Sequence, residues 1–300
     1  MNIGAVLSTI ENMRVGLEKG CPFAANLSRD LKISYFPRQS SPLFVRILEG
    51  KKGERDFANL TFLKSCLGEF IVAPTKIITV GTACCGIFPF VTHSRISFDK
   101  QAVNVLLPNV QNILILTHEG GRKYRPGRAT LSVRDVIATL RNDGLLTNAT
   151  EAYLDGSFAL AVSKMNLIPQ HCDFTYTNLG AMENGKLVVF DWEEYGLVCY
   201  PGFDFATFLL SHYFHAKAID AVMNSPDELS ARIKGDFGDS FLSKIDLTPV
   251  DFMGVFPGYL AVFLAMKKDF GVEIYSRLRT IWQQTVNSDN WMKIINDKRV

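Results

Sequence analysis

The spacing of apolar and polar residues changes character roughly a third of the way along the chain. Leu31–Phe36 and Leu43–Leu48 are short runs of β-favouring residues, and the turn-forming stretch Pro37-Arg38-Gln39-Ser40-Ser41-Pro42 lies between them, so the pair predicts a hairpin. Glu54–Cys66 then sets Phe57, Leu60 and Leu63 three residues apart among polar neighbours, the period of a helix with one buried face. Lys76–Val80 and Asn112–Leu116 read as two further strands, and the intervening Thr82–Val110 follows neither period clearly. Beyond Leu116 the pattern is helical, over Leu131–Leu140, Glu151–Met165, Asp204–Met223, Val250–Met266 and Gly271–Ile295. The prediction is an α+β chain with a strand-rich part over 1–117, a helical part over 118–300, and a hinge at Thr117-His118-Glu119.

Composition narrows the function classes. Apolar residues make up 47% of the 300 and charged residues 21%, the balance of a folded globular chain with a sizeable core. Thirty-two basic and 30 acidic residues leave a net charge of +2, which offers no field for nucleic acid or for an anionic membrane surface. The basic stretch Arg122, Lys123, Arg125 and Arg128 reads first as a solvated loop, and second as a face for an anionic substrate. Met1–Gly20 alternates apolar and charged residues as an amphipathic helix does, unlike a signal peptide, so a cytoplasmic location is expected. The most apolar run, Phe252–Met266, is short for a membrane span and contains Gly254, Pro257 and Gly258; a buried helix is expected, not membrane insertion. The six cysteines include no C-x-x-C pair, which removes zinc spacing, and all are expected to be reduced.

The segment with chemical content is Pro169-Gln170-His171-Cys172-Asp173-Phe174-Thr175-Tyr176-Thr177-Asn178-Leu179. A helix should end near Pro169, after which a loop presents His171, Asp173 and Asn178. Two short strands should then meet at Asn184-Gly185, the dipeptide that best accepts the two positive φ angles of a tight hairpin. The second strand, Leu187–Phe190, is continuously apolar, hence buried, and ends at Asp191. Such a hairpin allows Asp191 to approach Asp173 and Asn178, and two carboxylates with an amide oxygen suit a hard cation such as Mg²⁺.

H-x-D-x-x-x-x-N followed by a strand pair and an aspartate resembles the catalytic pattern of the protein-kinase-like fold. Its particular form, HCDFTYTN with FDWEEYG, is similar to the aminoglycoside phosphotransferase and choline/ethanolamine kinase group; protein kinases carry an arginine after the histidine and a D-F-G. Tyr200-Pro201-Gly202-Phe203-Asp204-Phe205-Ala206 also resembles that group's segment in which an aspartate opens a helix, so the match covers about Leu167–Phe208. Nearer the N-terminus, Arg46 in Phe44-Val45-Arg46-Ile47 occupies the position of the phosphate-binding cation of the third strand. Ala24-Ala25-Asn26-Leu27-Ser28 occupies the position of the nucleotide-covering loop but lacks its glycines.

The resemblance implies a two-lobed protein-kinase-like fold with a small strand-rich N-lobe and a larger helical C-lobe. It implies transfer of phosphate from ATP to a hydroxyl of a small molecule: an amino alcohol, a sugar or saccharide, or an aminoglycoside. Asp173 would be the base and His171 the brace of its loop; Asn178 and Asp191 would hold Mg²⁺. Arg46 would meet the ATP phosphates, oriented by Asp56 or by Glu54, and Thr117, His118 and Glu119 would meet the adenine. Carboxylates for a cationic acceptor are available at Asp204, Asp220, Asp227 and Glu228. Asp204 reads first as a helix cap or a brace for the loop, ahead of a ligand, since aspartate favours N-caps. Cys172 reads as a bystander, while His212, His215 and Tyr176 read as packing residues or pocket rim. The alternative is a catalytically impaired pseudokinase that serves as a nucleotide-binding or protein-interaction module, favoured by the glycine-poor loop and the arginine cation.

Overall fold

The structure is a computed structural model that describes residues 23–27, 31–35, 43–89, 93–95, 100–124, 129–182, 186–269 and 271–296. The amphipathic helix expected over Met1–Gly20 and the turn at Asn184-Gly185 lie outside them. The chain forms two compact units, 1–95 with 179–193 and 96–178 with 194–300. The division therefore falls after Arg95, 22 residues before the hinge expected at Thr117, and the hairpin around Asn184-Gly185 belongs to the first unit.

The first unit is built on an antiparallel five-stranded sheet in the order β1 (Phe23–Leu27), β2 (Leu31–Tyr35), β3 (Leu43–Glu49), β5 (Ala83–Pro89), β4 (Lys76–Val80). The hairpin expected from the first two apolar runs is β2 paired with β3, with Ile33 opposite Val45. Of Ala24–Ser28, expected to cover a nucleotide as a loop, Ala24–Leu27 instead forms part of β1, its backbone paired with β2, and Ser28 lies outside the described residues. On β3, Val45 and Ile47 are buried on one face, and the alternate residues Phe44, Arg46 and Leu48 share the other with Cys84, Gly86 and Phe88 of β5. Against that second face lies α1 (Gly50–Leu67), whose Phe57, Leu60 and Leu63 are buried as their spacing required. Gly86 allows this approach: a Cβ there would stand 2.7 Å from the Phe57 ring. A smaller sheet joins β6 (His93–Arg95), β7 (Leu179–Met182) and β8 (Leu187–Val189), and Ile71 bridges Val189.

The second unit is helical. Its first element, α2 (Lys100–Gly121), corrects the sequence reading: Asn112–Leu116 is the middle of a 22-residue helix, not a strand. A short aliphatic run fits a buried strand and a buried helix equally well. The deciding signal is longer range, since Leu106, Val110, Ile113, Leu114, Thr117 and His118 are all buried at helical spacing. Thr117, His118 and Glu119 thus have their backbone committed to helical hydrogen bonding and cannot act as a hinge strand offering its edge to adenine. His118 is instead buried with its Nε2 3.0 Å from Asp246 Oδ2.

The remaining helices are α3 (Val133–Asn142), α4 (Asn148–Tyr153), α5 (Ala159–Ser163), α6 (Phe203–His215), α7 (Ile219–Asn224), α8 (Pro226–Phe237), α9 (Pro249–Met266), α10 (Val272–Asn287) and α11 (Asp289–Ile295). The helix expected over Asp204–Met223 is broken between α6 and α7, where Lys217 takes the left-handed φ of 55°. The core is organised by α9. Among the described residues it alone is long and apolar enough to cross a membrane, yet 67% of it is buried within the chain, in accordance with the buried helix expected there. It starts with Pro249 in its first turn and a capping box between Thr248 and Asp251. Phe203 and Tyr259 pack edge to face, and Tyr259 donates to the Pro201 carbonyl. Between α4 and α5 the helix widens into a π turn (Leu154–Phe158), which drives Phe158 against α9 at Gly258, where a Cβ would meet the ring at 2.2 Å. Gly258→Ala should therefore lower stability by about 1–3 kcal/mol in urea unfolding, and Gly258→Ala/Phe158→Leu should recover part of the loss.

Candidate functional site

The Pro169–Asn178 segment has no regular structure until its last three residues, so tertiary bonds must hold it. Ile168 and Gln170 donate their N–H groups to the carbonyls of Cys199 and Val198, and Gly196 donates to Gln170. The next two amides point at one carboxylate. His171 N–H donates to Asp204 Oδ2 at 2.6 Å and Cys172 N–H to Oδ1 at 2.8 Å. Asp204 lies in the first turn of α6 and is fully buried, so it braces the loop. Cys172 adopts φ 74°, a left-handed conformation that non-glycine residues rarely hold unless their surroundings impose it. That twist turns the chain so that Asp173, a fifth exposed, emerges from a buried loop.

Three groups then fix Asp173. Its N–H donates to His171 Nδ1 at 3.2 Å, which leaves the proton of the neutral ring on Nε2; His171 is completely buried. Asn178 Nδ2 donates to the Asp173 carbonyl at 2.8 Å and to its Oδ2 at 3.0 Å. With its nitrogen so engaged, the Asn178 amide retains its oxygen as an acceptor. The third group, Lys267, follows the last turn of α9; its Nζ lies 3.2 Å from Asp173 Oδ2 and 3.2 Å from Glu194 Oε2, with only 3% of the side chain exposed. A buried ammonium at the end of the most apolar helix is costly unless paired, and here two carboxylates pair it. Sequence reasoning missed Lys267 because it is 94 residues from Asp173 and no motif contains it. The available signal was a lysine directly after eighteen mostly apolar residues.

Cys172 is the bystander it was expected to be: burial raises its thiol well above the ordinary range, and its sulfur bonds the Gln170 carbonyl and the Val198 amide. Tyr176 packs, stacked on His212 with its hydroxyl 2.6 Å from His212 Nδ1.

The first unit contributes a separate cavity of about 410 Å³. Phe44, Leu60 and Phe88 line its apolar part; Lys32, Arg46, Asp191 and Glu193 supply its charge. Asp191 is exposed just beyond buried β8, as the apolar run implied, and it too is left-handed, with φ 59°. The carboxylate against Arg46 is Glu193, with Lys32 3.8 Å from the same oxygen. This replaces the expected pairing with Asp56, whose Oδ1 takes both Nε and Nη2 of its neighbour Arg55.

Asp191 in the first unit and Asn178 in the second each offer an oxygen donor of the kind that hard cations take. Among the described residues no three His, Cys, Asp or Glu side chains gather as a metal cluster of their own.

No family model matches the sequence, and no curated protein matches it. Solved structures do. An amicoumacin kinase in complex with AMP-PNP and Ca²⁺ superposes at a TM-score of 0.57 with 12% identity, over 95% of this chain and 97% of the other. A macrolide 2′-phosphotransferase gives 0.56 with 15% identity over 95% and 97%. A thermostable mutant of an aminoglycoside phosphotransferase, in ternary complex with ADP and hygromycin B, gives 0.54 with 11% identity over 94% and 98%. The chain therefore has the α+β fold of the aminoglycoside-phosphotransferase-like kinases, and the resemblance read from the sequence is borne out at the level of the fold.

Burial pushes the Asp204 carboxyl from 3.8 up to about 7 against the pull of its two N–H bonds. The folded chain then binds a proton that the unfolded chain releases, so this contribution is complete below pH 4 and is lost as pH rises through about 7. Urea unfolding should accordingly give lower stability at pH 8 than at pH 5, a difference that shrinks in Asp204→Asn, which also loses about 1–3 kcal/mol because one amide goes unmatched. Lys267→Met should cost about 3 kcal/mol by leaving two carboxylates facing each other, and Lys267→Met/Glu194→Gln should cost less than the single variant.

Proposed function

We propose that this chain is a small-molecule kinase that transfers the γ-phosphoryl group of ATP to a hydroxyl of a small acceptor. The observation that carries the reading is Asp173: a partly exposed carboxylate raised out of a buried loop and held by His171, Asn178 and Lys267. A surface aspartate in a turn needs none of that support. Three fixed neighbours give it the positional precision that proton acceptance from a hydroxyl requires.

In this reading Asp173 orients the acceptor hydroxyl and takes its proton as the oxygen attacks phosphorus. Phosphoryl transfer needs alignment and charge neutralisation more than covalent help. Asn178 and Asp191 are assigned to Mg²⁺, which when bound neutralises charge on the phosphate oxygens. Arg46 is assigned to the ATP phosphates, exchanging its partner Glu193 for them, and the apolar side of its cavity is assigned to the base. His171 positions the loop without touching substrate. The fold shared with the amicoumacin, macrolide and aminoglycoside enzymes supports the reaction class. The near-neutral net charge of +2 supports a small-molecule partner over nucleic acid or an anionic membrane surface.

An ADP-release assay with Mg²⁺-ATP and a panel of alcohols tests the proposal. Asp173→Asn should lower kcat by about 10²–10⁴-fold with ATP binding retained. Asp191→Ala should abolish Mg²⁺-dependent nucleotide binding, measured by calorimetry. Full activity in either variant would refute these assignments. Mg²⁺-ATP binding without turnover of any acceptor would favour the pseudokinase alternative.

A further inference from the structure

We infer that the acceptor is an uncharged alcohol with a largely apolar body, and not a polycation; this rests on the kinase reading above. The helical unit holds a cavity of about 290 Å³ with Asp173 in its wall. Thr175, Thr177, Thr207 and Ser211 line it with neutral hydroxyls, and the rest is mostly hydrocarbon. Phe263, Leu278 and Ile281 are buried in the wall, whereas Phe214 and Ile274 remain 41% and 50% exposed at the cavity's edge. Large apolar side chains left half in water around a polar group are an arrangement that a ligand's apolar body would cover.

The charges point the same way. Among the described lining residues Asp173 is the single carboxylate, and it is already paired with Lys267, an ammonium it shares with Glu194. The other ionised lining group is a second cation, Arg277, paired with Glu273 and lying 5.4 Å over the Phe214 ring. His215 stays neutral at pH 7, since burial and the nearby His212 lower its pKa. The four acids that the sequence offered to a cationic acceptor do not line this cavity. Asp204 sits beneath the loop on two amides, Asp220 accepts from Gln284, Glu228 pairs with Arg232, and Asp227 is its neighbour in the first turn of α8. A polyamine entering here would shed its water beside two cations and gain no unpaired carboxylate. An apolar body gains roughly fourfold in affinity per buried methylene.

The test pairs turnover with binding, using octyl β-D-glucopyranoside below its micelle concentration, glucose, choline and kanamycin. Octyl glucoside should be phosphorylated with kcat/KM at least tenfold above glucose, with choline and kanamycin lowest. Phe214→Ser and Ile274→Ser should each raise its KM severalfold, whereas Leu160→Ser, also half exposed but outside the cavity, should not. Turnover or binding that favours kanamycin or choline would overturn the inference, as would octyl glucoside binding no better than glucose by calorimetry. Tight octyl glucoside binding that weakens in the two variants, without any turnover, would uphold the cavity's preference and refute the kinase reading instead.

Discussion

The functional loop depends on one buried carboxylate. Asp204 takes the amides of His171 and Cys172, and without it two backbone donors would lie in the interior with no acceptor. Because both bonds end on one rigid group, they also set the direction in which the chain leaves Cys172, and that direction brings Asp173 towards solvent. The left-handed φ at Cys172 is a cost that this anchor sustains. His171 and Asn178 then act on a loop whose path is already determined.

Lys267 connects the loop to the hydrophobic core. Helix α9 is positioned by Phe252, Val255, Tyr259 and Phe263, all buried, and its end sets an ammonium between Asp173 and Glu194. The strength of that arrangement comes from apolar packing, because a helix held along its length cannot shift its terminal charge by even an ångström without opening voids. The same ammonium, shared with Glu194, offsets part of the attraction that Asp173 would otherwise exert on a cation. Core packing, the candidate base and the preference of the neighbouring cavity are thus coupled through one side chain.

The parallel feature of the strand-rich unit is Asp191. It follows a strand buried by its continuous apolar run, and it adopts a left-handed backbone that aspartate tolerates better than most residues. Left-handed non-glycine residues occur at four places among the described residues, and two of them, Cys172 and Asp191, fall at or beside the proposed functional groups.

Local pattern was sufficient for the β2–β3 hairpin, for α1, for the buried α9 and for the loop carrying His171, Asp173 and Asn178, because each is specified within one period or one motif. It failed at Asn112–Leu116, where five residues could serve either a strand or a helix and only burial from Leu106 to His118 decides. It could not choose the carboxylate for Arg46, since Glu193 is 147 residues away and Asp56 was the nearer candidate. Lys267 and the hydrocarbon walls of its cavity were likewise beyond it. The sequence by itself determined which residues could do chemistry, through residue type and short spacing. Tertiary structure alone decided which charges meet, because ion pairs and cavities depend on distances across the fold that no local period encodes.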